Sequence, residues 1–173
     1  MRLYKSKVPR IADEIVNDLV TEGMIEIDEE SEDSDVKAGI EAILMEYIRM
    51  DQRLSEQTKD HLAQRAYDHR EFRKIKQTLA DRKNFGIGDD MLDYLTNQII
   101  SWFMVTPHVA EVFSEDHELR RRMVQIFRRH LDIDVTLDRE VRARLKNLEE
   151  GTLQWEIEYD RVLRELKRKR GIA

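Results

Sequence analysis

The 173-residue chain has no cysteine, which excludes disulfides, thiolate nucleophiles, iron–sulfur clusters and cysteine-based zinc sites. Only two prolines and six glycines punctuate it. No apolar run approaches the roughly 18 residues of a membrane span, and Met1-Arg2-Leu3-Tyr4-Lys5-Ser6-Lys7 lacks the apolar stretch of a secretory signal. The expected location is therefore the cytoplasm. No Gly-x-Ser-x-Gly elbow, phosphate-cradling Gly-Lys-Ser/Thr loop or dinucleotide fingerprint occurs; Gly86-Ile87-Gly88 follows no strand and reads as a linker. What the chain has in excess is charge, 38% of residues against about 25% in typical soluble domains, which points to much exposed helix surface around a modest core.

The chain is internally repetitive. Displaced by 83 positions, Val36 falls on Leu119, Ile40 on Met123, Leu44 on Phe127, Ile48 on Leu131, Leu54 on Leu137 and Leu62 on Leu145 without a gap. A displacement of 84 matches Ile11 with Leu95, Ile15 with Ile99, Leu19 with Phe103 and Ile25 with Val109. Two copies of one helical unit follow, residues 1–84 and 85–173, whether or not they pack as a single domain. Each copy is expected to hold three helices. In the first, Ile11, Ile15, Val16 and Leu19 form a helical stripe ended by Gly23. Met24-Ile25-Glu26-Ile27 alternates like a short strand. A second helix starts near Ser34, and Ser55 is suited to cap a long third helix reaching Lys83.

In the second copy, Thr106-Pro107 reads as a cap with proline at the first helical position, turning the strand-like piece into a helical turn. Leu145, Leu148, Thr152, Trp155, Tyr159, Val162 and Leu166 recur at spacings of three and four, the mark of a heptad seam along a final helix of about 30 residues. Gly151 inside that seam suggests close contact or a bend. The expected architecture is all-α: two tandem three-helix units with long, paired, coiled-coil-like helices and a short β piece near 24–27. The seam has two available partners, the long helix of the first copy or a second chain.

The net charge of −6 makes the chain as a whole no nucleic-acid magnet, but two segments are polarised. Residues 26–35 carry seven acids and no base. They lack the glycine and spacing of a calcium loop, so a solvated loop is the simpler reading. Arg161, Arg164, Lys167, Arg168, Lys169 and Arg170 concentrate positive charge at the last helix end, where it offsets the helix dipole or meets an anionic partner such as RNA or the ribosome. No paired-aromatic platform accompanies them. Among five histidines, His61 and His69 lie two turns apart, but neither i, i+4 spacing nor Glu-x-x-His accompanies them, so no metal site is assigned.

Met1-Arg2-Leu3-Tyr4, Lys7-Val8-Pro9, Ile15, Leu19, Gly23 and Ile25-Glu26 together resemble the bacterial domain-of-unknown-function family 507. The resemblance implies a bacterial cytosolic protein and brings no catalytic residue to carry over. Residues and resemblance lead to the same expectation, a non-enzymatic interaction or scaffold protein. It has no cofactor, metal or small-molecule substrate and makes no membrane contact; its partner is another protein or a second copy. An RNA- or ribosome-associated factor using the basic C-terminal helix is the alternative.

Overall fold

The structure, a computed structural model, describes residues 2–65, 69–150 and 152–171, with the side chains of 69 and 132–135 left aside. Helix α1 (Val8–Thr21), strand β1 (Ile25–Ile27), α2 (Asp33–Arg65) and α3 (Phe72–Arg82) are followed by α4 (Met91–Phe103), strand β2 (Val109–Val112), α5 (Asp116–Arg144) and α6 (Leu153–Lys169). The fold is all-α with a small antiparallel sheet. Along the chain, the order helix, strand, long helix, shorter helix runs twice. A 3₁₀ turn precedes each series, at Lys5–Lys7 and Gly88–Asp90. Among the described residues no helix is long and apolar enough to cross a membrane.

Local chemistry explains the ends. Pro9 opens α1, where its missing N–H is no loss. At the other end Gly23, at φ +66, lets the Met24 amide reach back to the Leu19 carbonyl at 2.9 Å. The long helices start with the same device. The Glu32 amide donates to the Asp35 carboxylate at 2.8 Å and the Glu115 amide to the Glu118 carboxylate at 3.1 Å, the backward half of a capping box, with acids facing the positive end of the helix dipole.

The chain forms two compact units, and they are not the two sequence copies. Met1–Met50 with Gly86–Leu131 make unit one; Asp51–Phe85 with Asp132–Ala173 make unit two. Each unit thus takes half of each copy. Unit one buries Ile11, Ile15, Val16 and Leu19 of α1, Ile40 and Leu44 of α2, Leu95, Ile99 and Phe103 of α4, and Leu119, Met123 and Phe127 of α5. Strands β1 and β2 pair within it, Ile25 opposite Val112, Glu26 opposite Glu111 and Ile27 opposite Val109, with an irregularity after Glu26. Unit two buries Leu54 and Leu62 of α2, Phe72 and Ala80 of α3, Leu137 and Val141 of α5, and Tyr159, Val162, Leu163 and Leu166 of α6.

Four local expectations are corrected. Ser55 caps nothing: it lies inside α2, and the third helix begins only at Phe72. The apolar stripe from Ile48 through Leu54, Thr58 and Leu62 continues without a breaker, and tertiary burial outweighs a local capping preference. The seam from Leu145 to Leu166 is not one helix. The α5 helix ends at Arg144, and Thr152 starts α6 by accepting a hydrogen bond from the Trp155 amide at 3.2 Å. Gly151, expected to mark close contact or a bend, lies outside the described residues. Thr106-Pro107 leads into strand β2 instead of a helix, the Thr106 hydroxyl accepting from the His108 amide at 3.3 Å. The linker at Gly86 is a packed joint, since its carbonyl accepts from Tyr47 Oη at 2.9 Å and an added Cβ would lie 2.5 Å from the Asp90 carbonyl oxygen.

The caps give a paired test. Thr152→Ala is expected to lower stability by about 1 kcal/mol, whereas Ser55→Ala, inside a helix, is expected to change it by less than about 0.5 kcal/mol. Urea titration of both variants measures the difference.

Candidate interaction surface

Most charged side chains near the α1 surface are committed to one another. Arg122 of α5 grips Asp18 of α1 with Nε at 2.6 Å and Nη2 at 3.1 Å, and lies 3.1 Å from Glu22. The hydrogen bond to Asp18, then its charge, holds the guanidinium above its ordinary pKa. Glu14 meets Arg129 at 2.6 Å and also His130, and Lys37 meets Asp13 at 2.6 Å. These residues border an open depression of about 540 Å³ lined by Arg10, Asp13, Glu14, Asn17, Asp18, Thr21 and His130. Its carboxylates are occupied by cations of neighbouring helices, so it acts as a clasp between helices. Among the described residues no three His, Asp or Glu side chains form a group able to hold a metal ion.

The sheet end of unit one differs. Residues 24–35 and 104–118 contain eleven acids and no lysine or arginine. Eight of these, Glu26, Glu29, Glu30, Glu32, Asp33, Glu111, Glu115 and Asp116, are exposed. None pairs with a lysine or arginine among the described residues; Glu115 meets only His117, at 3.2 Å. The two segments are joined by the strand pairing, by Asp28 N–H to the His108 carbonyl at 2.9 Å, and by a 2.8 Å hydrogen bond between Ser31 Oγ and His108 Nδ1. Around β2 stand large apolar side chains open to water: Met104 and Val105 before it, at 56% and 78% exposure, and Phe113 after it, at 62%. The corresponding positions of the first copy are Val20, Thr21 and Glu29, so the apolar character at Val105 and Phe113 belongs to the second copy alone. Composition marks the acidic loop, but the apolar trio stands far along the chain from it, and only the pairing of β1 with β2 brings Met104-Val105 and Val112-Phe113 beside it.

The basic C-terminal helix is less free than its composition suggests. Arg161 meets Glu158 at 2.7 Å, Lys169 meets Glu165 at 2.7 Å, and Arg170 pairs with Glu140 of α5. The hydrogen bond to Glu158, then its charge, raises the Arg161 pKa; that from Lys169 holds the Glu165 carboxyl below its usual range, so Glu165 stays anionic at neutral pH. Lys167 is buried. Arg164 reaches the Asp160 carbonyl at 3.1 Å, and Arg168 is exposed without a side-chain partner. What remains is Arg164 and Arg168, in line with the Glu158-bound Arg161 on the exposed face that also carries Ile157 at 59% exposure.

The seam residues are divided among different tasks. Tyr159, Val162 and Leu166 form the buried side of α6, Leu145 is buried just after α5, and Leu148 and Trp155 are half-buried. Trp155 stacks on Tyr159 with ring centroids 4.9 Å apart, and Arg142 lies 5.4 Å over the Trp155 ring. Tyr159 Oη donates to Asp138 at 2.5 Å, tying α6 to α5.

The molecule is thus an all-α protein with a two-stranded sheet and, among its described residues, two open apolar-and-charged surfaces in place of a metal cluster. It belongs to the family of proteins of unknown function DUF507, whose model matches residues 1–172. No curated protein matches the chain.

Proposed function

We propose that this chain is a non-enzymatic interaction protein of the bacterial cytoplasm whose principal contact surface is the sheet end of unit one. The observation that carries the reading is the exposed trio Met104, Val105 and Phe113 beside unpaired carboxylates. Exposed apolar groups gain free energy when a partner covers them, at about 25 cal/mol per Å², while the surrounding acids select a partner bearing positive charge. A photoreactive amino acid in place of Val105, in the source cell, is expected to give a discrete protein adduct that disappears with Phe113→Lys. The same probe at Arg121, on the exposed side of α5, serves as the control. No adduct at Val105, or one equal to the control, would overturn the reading.

A nucleic-acid ligand for α6 is the second reading, and the exposed stripe Arg161, Arg164 and Arg168 favours it. Three arginines neutralise few phosphates, so binding would be weak and would fall with salt by a log–log slope of about −2 on single strands. Bulk RNA retained by the purified protein at low salt, and lost with Arg164→Glu and Arg168→Glu, would support it.

A further inference from the structure

The four large apolar side chains exposed among the described residues fall into two places of opposite charge. Met104, Val105 and Phe113 stand at the acidic sheet end of unit one, and Ile157 stands among Arg161, Arg164 and Arg168 on α6 of unit two. All four lie in the second copy. At their first-copy equivalents the exposed face of α3 has Lys74 for Ile157 and Asp81 for Arg164, so both specialised surfaces arose where the copies diverge.

We propose that these two surfaces are complementary halves of one contact, in which the sheet end of one molecule receives the α6 stripe of a second copy. This rests on the reading of the sheet end as the contact surface and names its partner. Apolar groups are then covered on both sides. Arg168, unpaired, and Arg164, bound only to a backbone carbonyl, face exposed carboxylates that have no lysine or arginine of their own, with the Glu158-bound Arg161 beside them. Because the two faces differ, the contact is heterologous: after the first contact one molecule keeps its α6 stripe free and the other its sheet end, so further copies can add at either end. Each face is small, so association is weak and reversible, in the range of roughly 10 µM to 1 mM.

The full chain, treated with nuclease, is expected to show a weight-average mass that rises with concentration in sedimentation equilibrium. Raising salt from about 0.1 M to about 1 M shortens the Debye length from about 10 Å to about 3 Å and is expected to weaken association at least fivefold. Phe113→Lys puts a cation opposite the arginine stripe, and Ile157→Glu puts an anion opposite the acidic end. Both positions are exposed, so both variants should fold, which circular dichroism checks. Neither variant alone is expected to associate, whereas their equimolar mixture regains association, since one retains an intact stripe and the other an intact sheet end. Wild type that stays monomeric throughout this range, or a mixture that stays monomeric where wild type associates, would overturn the proposal. If the wild type is monomeric while Val105 crosslinks to a different protein in cells, the sheet-end reading stands and the self-contact falls.

Discussion

Replacing Gly39 with alanine is expected to destabilise unit one by about 1–3 kcal/mol, although alanine is the better helix former by about 1 kcal/mol. The added Cβ would lie 2.1 Å from two ring carbons of Trp102, so the indole of α4 occupies the space that glycine leaves on α2. Both residues belong to unit one, where Trp102 also lies against Phe103 with ring centroids 5.9 Å apart. Either the ring is displaced from its seat or the helices separate. Trp102→Leu removes the obstructing ring carbons, so the double variant should lose less than the two single losses together. Gly39→Val carries a larger side chain and should be worse. Thermal or urea unfolding of the four variants provides the measurement; an alanine variant as stable as wild type would mean that the ring does not occupy this position.

Phe127→Ala is expected to cost about 3–5 kcal/mol, the largest effect of any single substitution considered. Phe127 on α5 is fully buried in unit one, and truncation leaves a cavity as well as losing apolar burial. For a chain of this size, about 2–4 °C of midpoint is lost per kcal/mol, so a drop of roughly 6–20 °C is expected by calorimetry. The substitution is remote in kind from Phe113→Lys, since Phe113 is 62% exposed and its change should leave the midpoint nearly unaltered. That contrast separates residues that hold the fold from those that meet a partner.

The sequence shows these core positions well. Leu44 and Phe127, Leu19 and Phe103, and Ile25 and Val109 are pairs recognisable from apolar spacing alone, and all six are buried. Burial follows periodicity because a helix can hide only one stripe. Helix boundaries are less visible. The 3–4 spacing of Leu145, Leu148, Thr152 and Trp155 is numerically unbroken, yet the chain leaves the helix at Arg144 and re-enters at Leu153. An apolar register can persist across a turn, and the stop is encoded instead by Lys146-Asn147 and Glu149-Glu150 on either side of Leu148 and by Thr152, a good cap. Ser55 shows the converse, a good cap residue held inside a helix by its neighbours.

Long-range pairings were not legible. The clasp of Arg122 on Asp18 spans 104 positions, and strand β2 gains its hydrogen bonds from β1, more than 80 residues earlier. Thr106-Pro107 has the local look of a helix start because both residues favour that role; only the distant partner strand makes Val109–Val112 extended. The candidate surface was half legible. Acid and base enrichment marked the loop 26–35 and the end of α6, but exposure of Val105, Phe113 and Ile157 depends on which side each element turns to its core. Composition also could not show that Glu158, Glu165 and Glu140 occupy half of the basic cluster.

The contact surfaces are tested most directly by amide NMR of the labelled full chain across a dilution series. The expected result is concentration-dependent shifts confined to residues 24–35 and 104–118 and to the α6 face of Ile157, Arg161, Arg164 and Arg168, abolished by Phe113→Lys. Spectra unchanged by concentration, or shifts centred on the α1 clasp at Asp18 and Arg122, would contradict it.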